Sequence, residues 1–84
     1  MDGFILDLID FLQSKKFKIT HFFKLDTQEH TLWCTHTSCN LELTIDQVDL
    51  DQIFNLWLNN KSDSLSDILY TVLSKNYKIE RNLL

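Results

Sequence analysis

Apolar residues near the start of the chain recur every three or four positions. This spacing predicts an amphipathic helix from about Gly3 to Lys16. Asp2 is placed to cap its start, and Lys15 and Lys16 favour the negative end of the helix dipole. The apolar positions of this helix are Phe4, Ile5, Leu8, Ile9 and Leu12.

The pattern then changes to an alternation of period two, which is typical of strands with one buried face. Three strands are predicted, over Phe17–Leu25, Thr31–Thr37 and Leu41–Ile45, and short polar turns join them. The first strand is expected to bury its odd-numbered side chains. These are Phe17, Ile19, His21, Phe23 and Leu25.

Two further amphipathic helices are predicted in the second half of the chain. The first begins at Asp49, which starts a capping-box pattern, or at the competing cap Asp46, and ends near Asn60. The second begins at Ser64 or Ser62. Their apolar stripes are Leu50, Ile53, Phe54, Trp57 and Leu58 in the first helix, and Leu65, Ile68, Leu69, Val72 and Leu73 in the second.

The resulting order, αβββαα, predicts an α+β fold with the helices on one face of a three-stranded antiparallel sheet. The 84 residues contain no proline and no visible linker, so one domain over residues 1–84 is expected. Residues 77–84 lack a clear period. They either continue the last helix or form a flexible or loosely docked tail, which Ile79, Leu83 and Leu84 would tie to the body.

The composition bears on origin and location. Alanine and proline are absent, and glycine and arginine occur once each. Because the codons of these residues are GC-rich, we expect an AT-rich genome such as that of a phage, plasmid, virus or low-GC bacterium. The acidic N-terminus does not resemble a secretory signal, and no apolar run reaches the roughly 20 residues of a membrane span. The predicted location is the cytoplasm, of the host cell if the protein is viral.

Four side chains of metal-ligating type cluster around the second strand. Imidazole and thiolate groups together suit tetrahedral zinc. One hypothesis is therefore a zinc-stabilised or thiol-sensing domain, which requires both flanking turns to fold back over the strand. The other interpretation is a structural role for all four, with no cofactor. The residues are His30, Cys34, His36 and Cys39.

Catalysis is not predicted. Cys34 and His36 share a strand face, but no glycine-rich turn or helix start beside either cysteine offers an oxyanion hole. The single glycine, Gly3, cannot build a phosphate-binding loop.

Charge is unevenly distributed about the net value of −4. Residues 26–60, here called the acidic segment, contain six acids and no lysine or arginine. A surface of one sign attracts a basic partner and repels nucleic acid, although it can also serve solubility alone. The six acids are Asp26, Glu29, Glu42, Asp46, Asp49 and Asp51.

Two resemblances concern the order of elements only. Helix, three strands and helix is also the order in double-stranded-RNA-binding domains, but those carry lysine where this chain has Asp46, Asp49 and Asp51. RNA binding is therefore not carried over. A compact acidic αβββαα protein also resembles small phage inhibitors of CRISPR nucleases, which implies occupation of a nucleic-acid groove on a protein.

These patterns predict a non-enzymatic binding protein, an inhibitor or adaptor whose acidic surface occupies a basic site on a host or defence protein. Phe22 is expected to point outward, and Trp33 to join it at the surface because the small neighbour Cys34 is readily buried. A second alternative is a self-associating structural protein, with a homodimer as its form. The predicted contacts are Glu42, Asp46, Asp49, Asp51, Phe22 and Trp33.

Overall fold

The computed structural model describes residues 2–59 and 63–84 and confirms the predicted order of elements. The alternative helix start at Ser62 and the cap by the Asp2 side chain lie outside what it describes. The elements are α1 (Asp2–Ser14), β1 (Phe17–Lys24), β2 (Glu29–His36), β3 (Glu42–Ile45), α2 (Gln47–Asn59), α3 (Leu65–Leu73) and a 3₁₀ turn (Arg81–Leu83).

The three strands form an antiparallel sheet in the order β1-β2-β3. At its centre Trp33 lies opposite Thr20 on one side and Thr44 on the other. Side chains of alternate residues therefore point to opposite faces. One face packs against α1 and α2, whereas the other, here called the outer face, carries no element of the described chain. Its side chains are those of Lys18, Thr20, Phe22, Lys24, Glu29, Thr31, Trp33, Thr35, Glu42 and Thr44.

A hydrophobic core lies between the sheet and the helices. The sheet contributes Leu32, Cys34 and Ile45, which are at most 1% exposed. The helices contribute most of the apolar positions that their spacing predicts. The helical core residues are Phe4, Ile5, Leu8, Leu12, Leu50, Ile53, Ile68, Leu69, Val72 and Leu73.

Side-chain caps fix where two of the helices begin. The Asp46 carboxylate accepts a hydrogen bond of 3.0 Å from the Asp49 amide, so α2 starts after Asp46 rather than at Asp49. Ser64 caps α3 in the same way, accepting from the Asp67 amide at 3.2 Å.

The prediction that β1 buries its whole odd-numbered face is wrong beyond Ile19. Phe17 is buried and Ile19 is half-buried, but His21 is exposed, and so are Phe23 (47%) and Leu25 (81%). The β1–β2 hairpin is twice as long as β3, whose pairing spans only Leu32–Thr35 of β2. The far end of the hairpin therefore extends past the part of the sheet that the helices cover.

The predicted stripe of α2 is also too wide. Trp57 and Leu58 are 40% and 48% exposed, although Trp57 contacts Phe4 edge-on with ring centroids 5.3 Å apart. Only the side of α2 that meets the sheet is fully covered, at Leu50 and Ile53.

The last residues return to the body instead of continuing α3. The helix ends at Leu73, and Ile79 and Leu84 join the core. The Tyr77 hydroxyl reaches the edge of β3, where it accepts a hydrogen bond from the Thr44 amide at 3.0 Å and donates one to the Thr44 carbonyl at 3.3 Å. Residues 77–84 are thus docked against the domain.

Candidate functional site

Two aromatic side chains stand together on the outer face. Phe22 of β1 and Trp33 of β2 are 45% and 56% exposed, with ring centroids 5.1 Å apart and rings inclined at 68°. The strand register makes them diagonal neighbours, and an inclined arrangement of this kind is favourable between aromatic rings. Trp33 points outward, as its small buried neighbour Cys34 predicts.

Glu42 borders this aromatic pair. It lies opposite Thr35 on the outer face, and with Trp33 and Thr44 these residues line a shallow depression between β2 and β3. The structure therefore brings three of the predicted contacts, Phe22, Trp33 and Glu42, onto one surface.

Asp46 and Asp49 form a second group, in the turn that starts α2 directly after β3. Burial raises the pKa of the Asp49 carboxyl above its usual value, and the negative charge of Asp46 raises it further. The positive charge of Lys75 acts in the opposite direction. The two carboxyl groups are therefore held close together, and the charge of Asp46 disfavours ionisation of Asp49.

Asp51 belongs to neither group. Its carboxylate accepts a hydrogen bond of 2.8 Å from the Gln47 side-chain amide, and the Gln47 carbonyl oxygen accepts one of 2.7 Å from the His30 amide. Asp51 is thereby linked through Gln47 to the start of β2.

The acids of the acidic segment lie at the surface. Asp49 is half-buried and the other five are exposed. Within residues 2–59 and 63–84, no lysine or arginine forms an ion pair with any of them, and Arg81 is paired with Asp67 instead. Their negative charge is thus not neutralised by contact with a lysine or arginine of the described chain.

A cluster of aromatic and imidazole rings at the far end of the hairpin was not predicted from the sequence. The Nε2 of His21 lies 2.8 Å from the Nδ1 of His30, so one of these nitrogens donates a hydrogen bond to the other. Phe23 stacks on His30 with ring centroids 4.4 Å apart. Burial lowers the pKa of His21, and the charge of His30 lowers it further. The period of two already placed His21 and Phe23 on one face, but it did not show that this end is uncovered.

The four candidate metal ligands are not brought together. Cys34 and His36 are buried on the helix side of β2, Cys39 is exposed in the turn after it, and His30 lies at the opposite end of the strand. In the described ranges no group of three histidine, cysteine or acidic side chains is arranged to hold a metal ion.

Two contacts give His36 a structural role, whereas Cys34 is a small buried side chain of the core. The Nδ1 of His36 accepts a hydrogen bond of 3.1 Å from the Ser38 amide, and Phe17 packs edge-on against its ring. Burial raises the pKa of the Cys34 thiol to about 12, so this cysteine stays protonated at neutral pH and is not an activated nucleophile.

Comparison with protein-family models, curated proteins and solved structures finds no match to this chain. None of the helices described is long and apolar enough to cross a membrane.

Proposed function

We propose that this chain is a non-enzymatic binding protein whose acidic segment engages a basic surface on a protein partner. The observation that carries the proposal is the state of the six acids, which lie at the surface without a lysine or arginine partner in the described chain. Unneutralised charge of one sign accelerates encounter with an oppositely charged surface and disfavours wrong partners.

The aromatic pair supplies the apolar part of the same interface. Aromatic residues are enriched at the centres of protein interfaces, where a few of them carry most of the binding energy. Phe22 and Trp33 present such a centre on the outer face, and Glu42 lies at its border. An interface of this form would bury the two rings and leave Glu42 at its rim.

The partner in this proposal is a host or defence protein whose basic site normally holds nucleic acid. The chain would act as an inhibitor or adaptor from a phage or mobile element, in the cytoplasm of the host cell. The absence of alanine and proline and the scarcity of glycine and arginine support such an origin.

Removing charge without removing the helix cap gives a direct test. The variant D46N/D49N/D51N keeps a capping side chain at position 46, because asparagine caps helices as well as aspartate does. Its affinity for the partner captured from host cells would be titrated at low and high salt. We expect binding at least about tenfold weaker, with a smaller salt dependence.

A matched control removes the same number of negative charges at positions outside the acidic segment. Asp7, Asp10 and Asp63 are exposed and lie outside the acidic segment. The variant D7N/D10N/D63N should bind almost as the unmodified chain does. Equal weakening by the two triple variants would show that only net charge matters, and unchanged affinity in both would contradict the proposal.

A further inference from the structure

The two edges of the sheet differ in how their backbone groups are satisfied. At the β3 edge, the amide and carbonyl of Thr44 point away from β2, and the Tyr77 hydroxyl bonds both of them. An added strand would have to displace this side chain. The β3 edge is therefore closed.

The β1 edge is open. The Thr37 amide donates to the Lys16 carbonyl at 3.0 Å, and in an antiparallel ladder this makes the even-numbered residues of β1 bond to β2. The amides and carbonyls of Ile19, His21 and Phe23 consequently point away from the sheet. They make no hydrogen bond in the described part of the chain, and the segment from Thr20 to Lys24 is exposed throughout.

Side chains on both faces of this edge suit an added strand. Phe22 on the outer face and Phe23 on the other face are each about half exposed. A strand laid beside β1 would contact one ring with each set of its alternating side chains. Main-chain hydrogen bonds with contacts for alternate side chains are what proteins use to bind extended peptides at sheet edges.

The lysines on β1 determine which kind of strand can pair with its open edge. Lys18 and Lys24 stand on the outer face of β1, and neither forms an ion pair in the described residues, although Glu29 lies opposite Lys24 in the strand register. No acid lies between positions 11 and 25. A second copy of β1 would bring lysines toward lysines, and edge lysines are a known barrier to self-pairing. A peptide with acidic side chains would meet opposite charge instead.

We propose that the open edge of β1 binds an extended acidic peptide segment of a protein partner as a fourth strand of the sheet. The peptide's carboxylates lie beside Lys18 and Lys24 on the outer face, and the apolar side chains that alternate with them pack on Phe23 on the other face. This surface is distinct from the acidic segment, and the proposal does not depend on the function proposed above.

The probe is a synthetic peptide of eight residues, the length of β1, that alternates glutamate with valine. Amide hydrogen exchange, read by NMR, reports the edge directly. Bound peptide should protect the amides of Ile19, His21 and Phe23 and leave those of the even-numbered residues unchanged, because these are already bonded to β2. Binding without such protection would overturn the proposal.

Two variants distinguish binding through the backbone of β1 from binding through its side chains. H21P removes one outward amide without touching the β1–β2 ladder, and proline is tolerated at such edge positions. H21A loses the same imidazole but keeps the amide. We expect the peptide to bind H21A as it binds the unmodified chain and to bind H21P at least about tenfold more weakly. Equal affinity for the two variants would contradict strand addition.

A charge exchange keeps the test decisive if H21P does not fold. The variant K18E/K24E should lose affinity for the glutamate peptide about tenfold and gain affinity for the same peptide with lysine in place of glutamate. Tighter binding of a single-stranded oligonucleotide than of the glutamate peptide would overturn the proposal in favour of a nucleic-acid surface. A dimer in sedimentation that H21P abolishes would overturn it in favour of a second copy.

Discussion

Leu32, Trp33 and Cys34 follow one another on β2 and have opposite surroundings. Leu32 and Cys34 are at most 1% exposed beneath the helices, whereas Trp33 between them is 56% exposed on the outer face. Trp33 is the largest of the three, and hydrophobicity alone would bury it first. The pleat of the strand, together with helices on one face only, decides which side chain enters the core. A large aromatic ring left at the surface of such a sheet is therefore available for binding.

The largest expected effect on stability comes from truncating Leu32, which lies on the covered face of the sheet. L32A should lower the free energy of unfolding by about 3 kcal/mol, because it leaves a cavity in a fully buried site. W33A should cost about 1 kcal/mol or less, mainly the ring contact with Phe22. Urea denaturation measures both values. Similar costs for the two variants would mean that the two faces are not as different as described.

Alkaline pH should lower the stability of the folded protein through ionisation of Cys34, which lies on the covered face. Its folded pKa is raised to about 12 from the ordinary 9.0, so the unfolded chain ionises first. The contribution of this thiol to stability is complete below pH 9 and is lost as pH rises toward 12. Unfolding measured across this range should show a steeper loss than in C34A. The exposed Cys39 offers the matched control C39A, which should keep the full slope.

A smaller loss is expected at the closed edge of the sheet. Y77F removes the hydroxyl that serves both backbone groups of Thr44 and should lower the free energy of unfolding by about 1–2 kcal/mol. Tyr70 makes no hydroxyl hydrogen bond in the described chain, so Y70F should stay within about 0.5 kcal/mol of the unmodified protein. Equal effects in thermal or urea unfolding would remove the distinction between the two edges.

The smallest effect concerns the two acids in the turn that starts α2. Because burial and Asp46 raise the pKa of Asp49, its ionised form opposes folding as pH rises through that pKa. D49N should therefore make the protein slightly more stable at pH 7 and leave its stability nearly unchanged below pH 3. D51N, at an exposed acid hydrogen-bonded to Gln47, is the control and should not stabilise. A destabilised D49N would indicate that Lys75 outweighs Asp46.

Most of the fold could be predicted because local periodicity specifies it. The change from helical spacing to alternation at Phe17 locates the first strand, and the return to helical spacing after Asp46 locates α2. The exposure of His21 and Phe23 could not be predicted, since alternation assigns a side chain to a face but does not say how far the helices on that face extend. The over-wide stripe of α2 has the same origin.

The surface was predicted in part, and its missing features depend on contacts between distant positions. The outward direction of Trp33 followed from its neighbour Cys34, a local inference. The bond between Tyr77 and Thr44 joins residues 33 positions apart and has no local signal. Pairing of His21 with His30 depends on the hairpin register, which the sequence did not define.

The bond between Tyr77 and Thr44 also sets a limit on stoichiometry. A sheet with two open edges can add strands at both ends and grow into a polymer. Here one edge is closed by a side chain of the same molecule, so any assembly through the sheet ends at this chain. Edge-to-edge association of this protein is thereby confined to discrete complexes. Y77F is the substitution that would open the β3 edge.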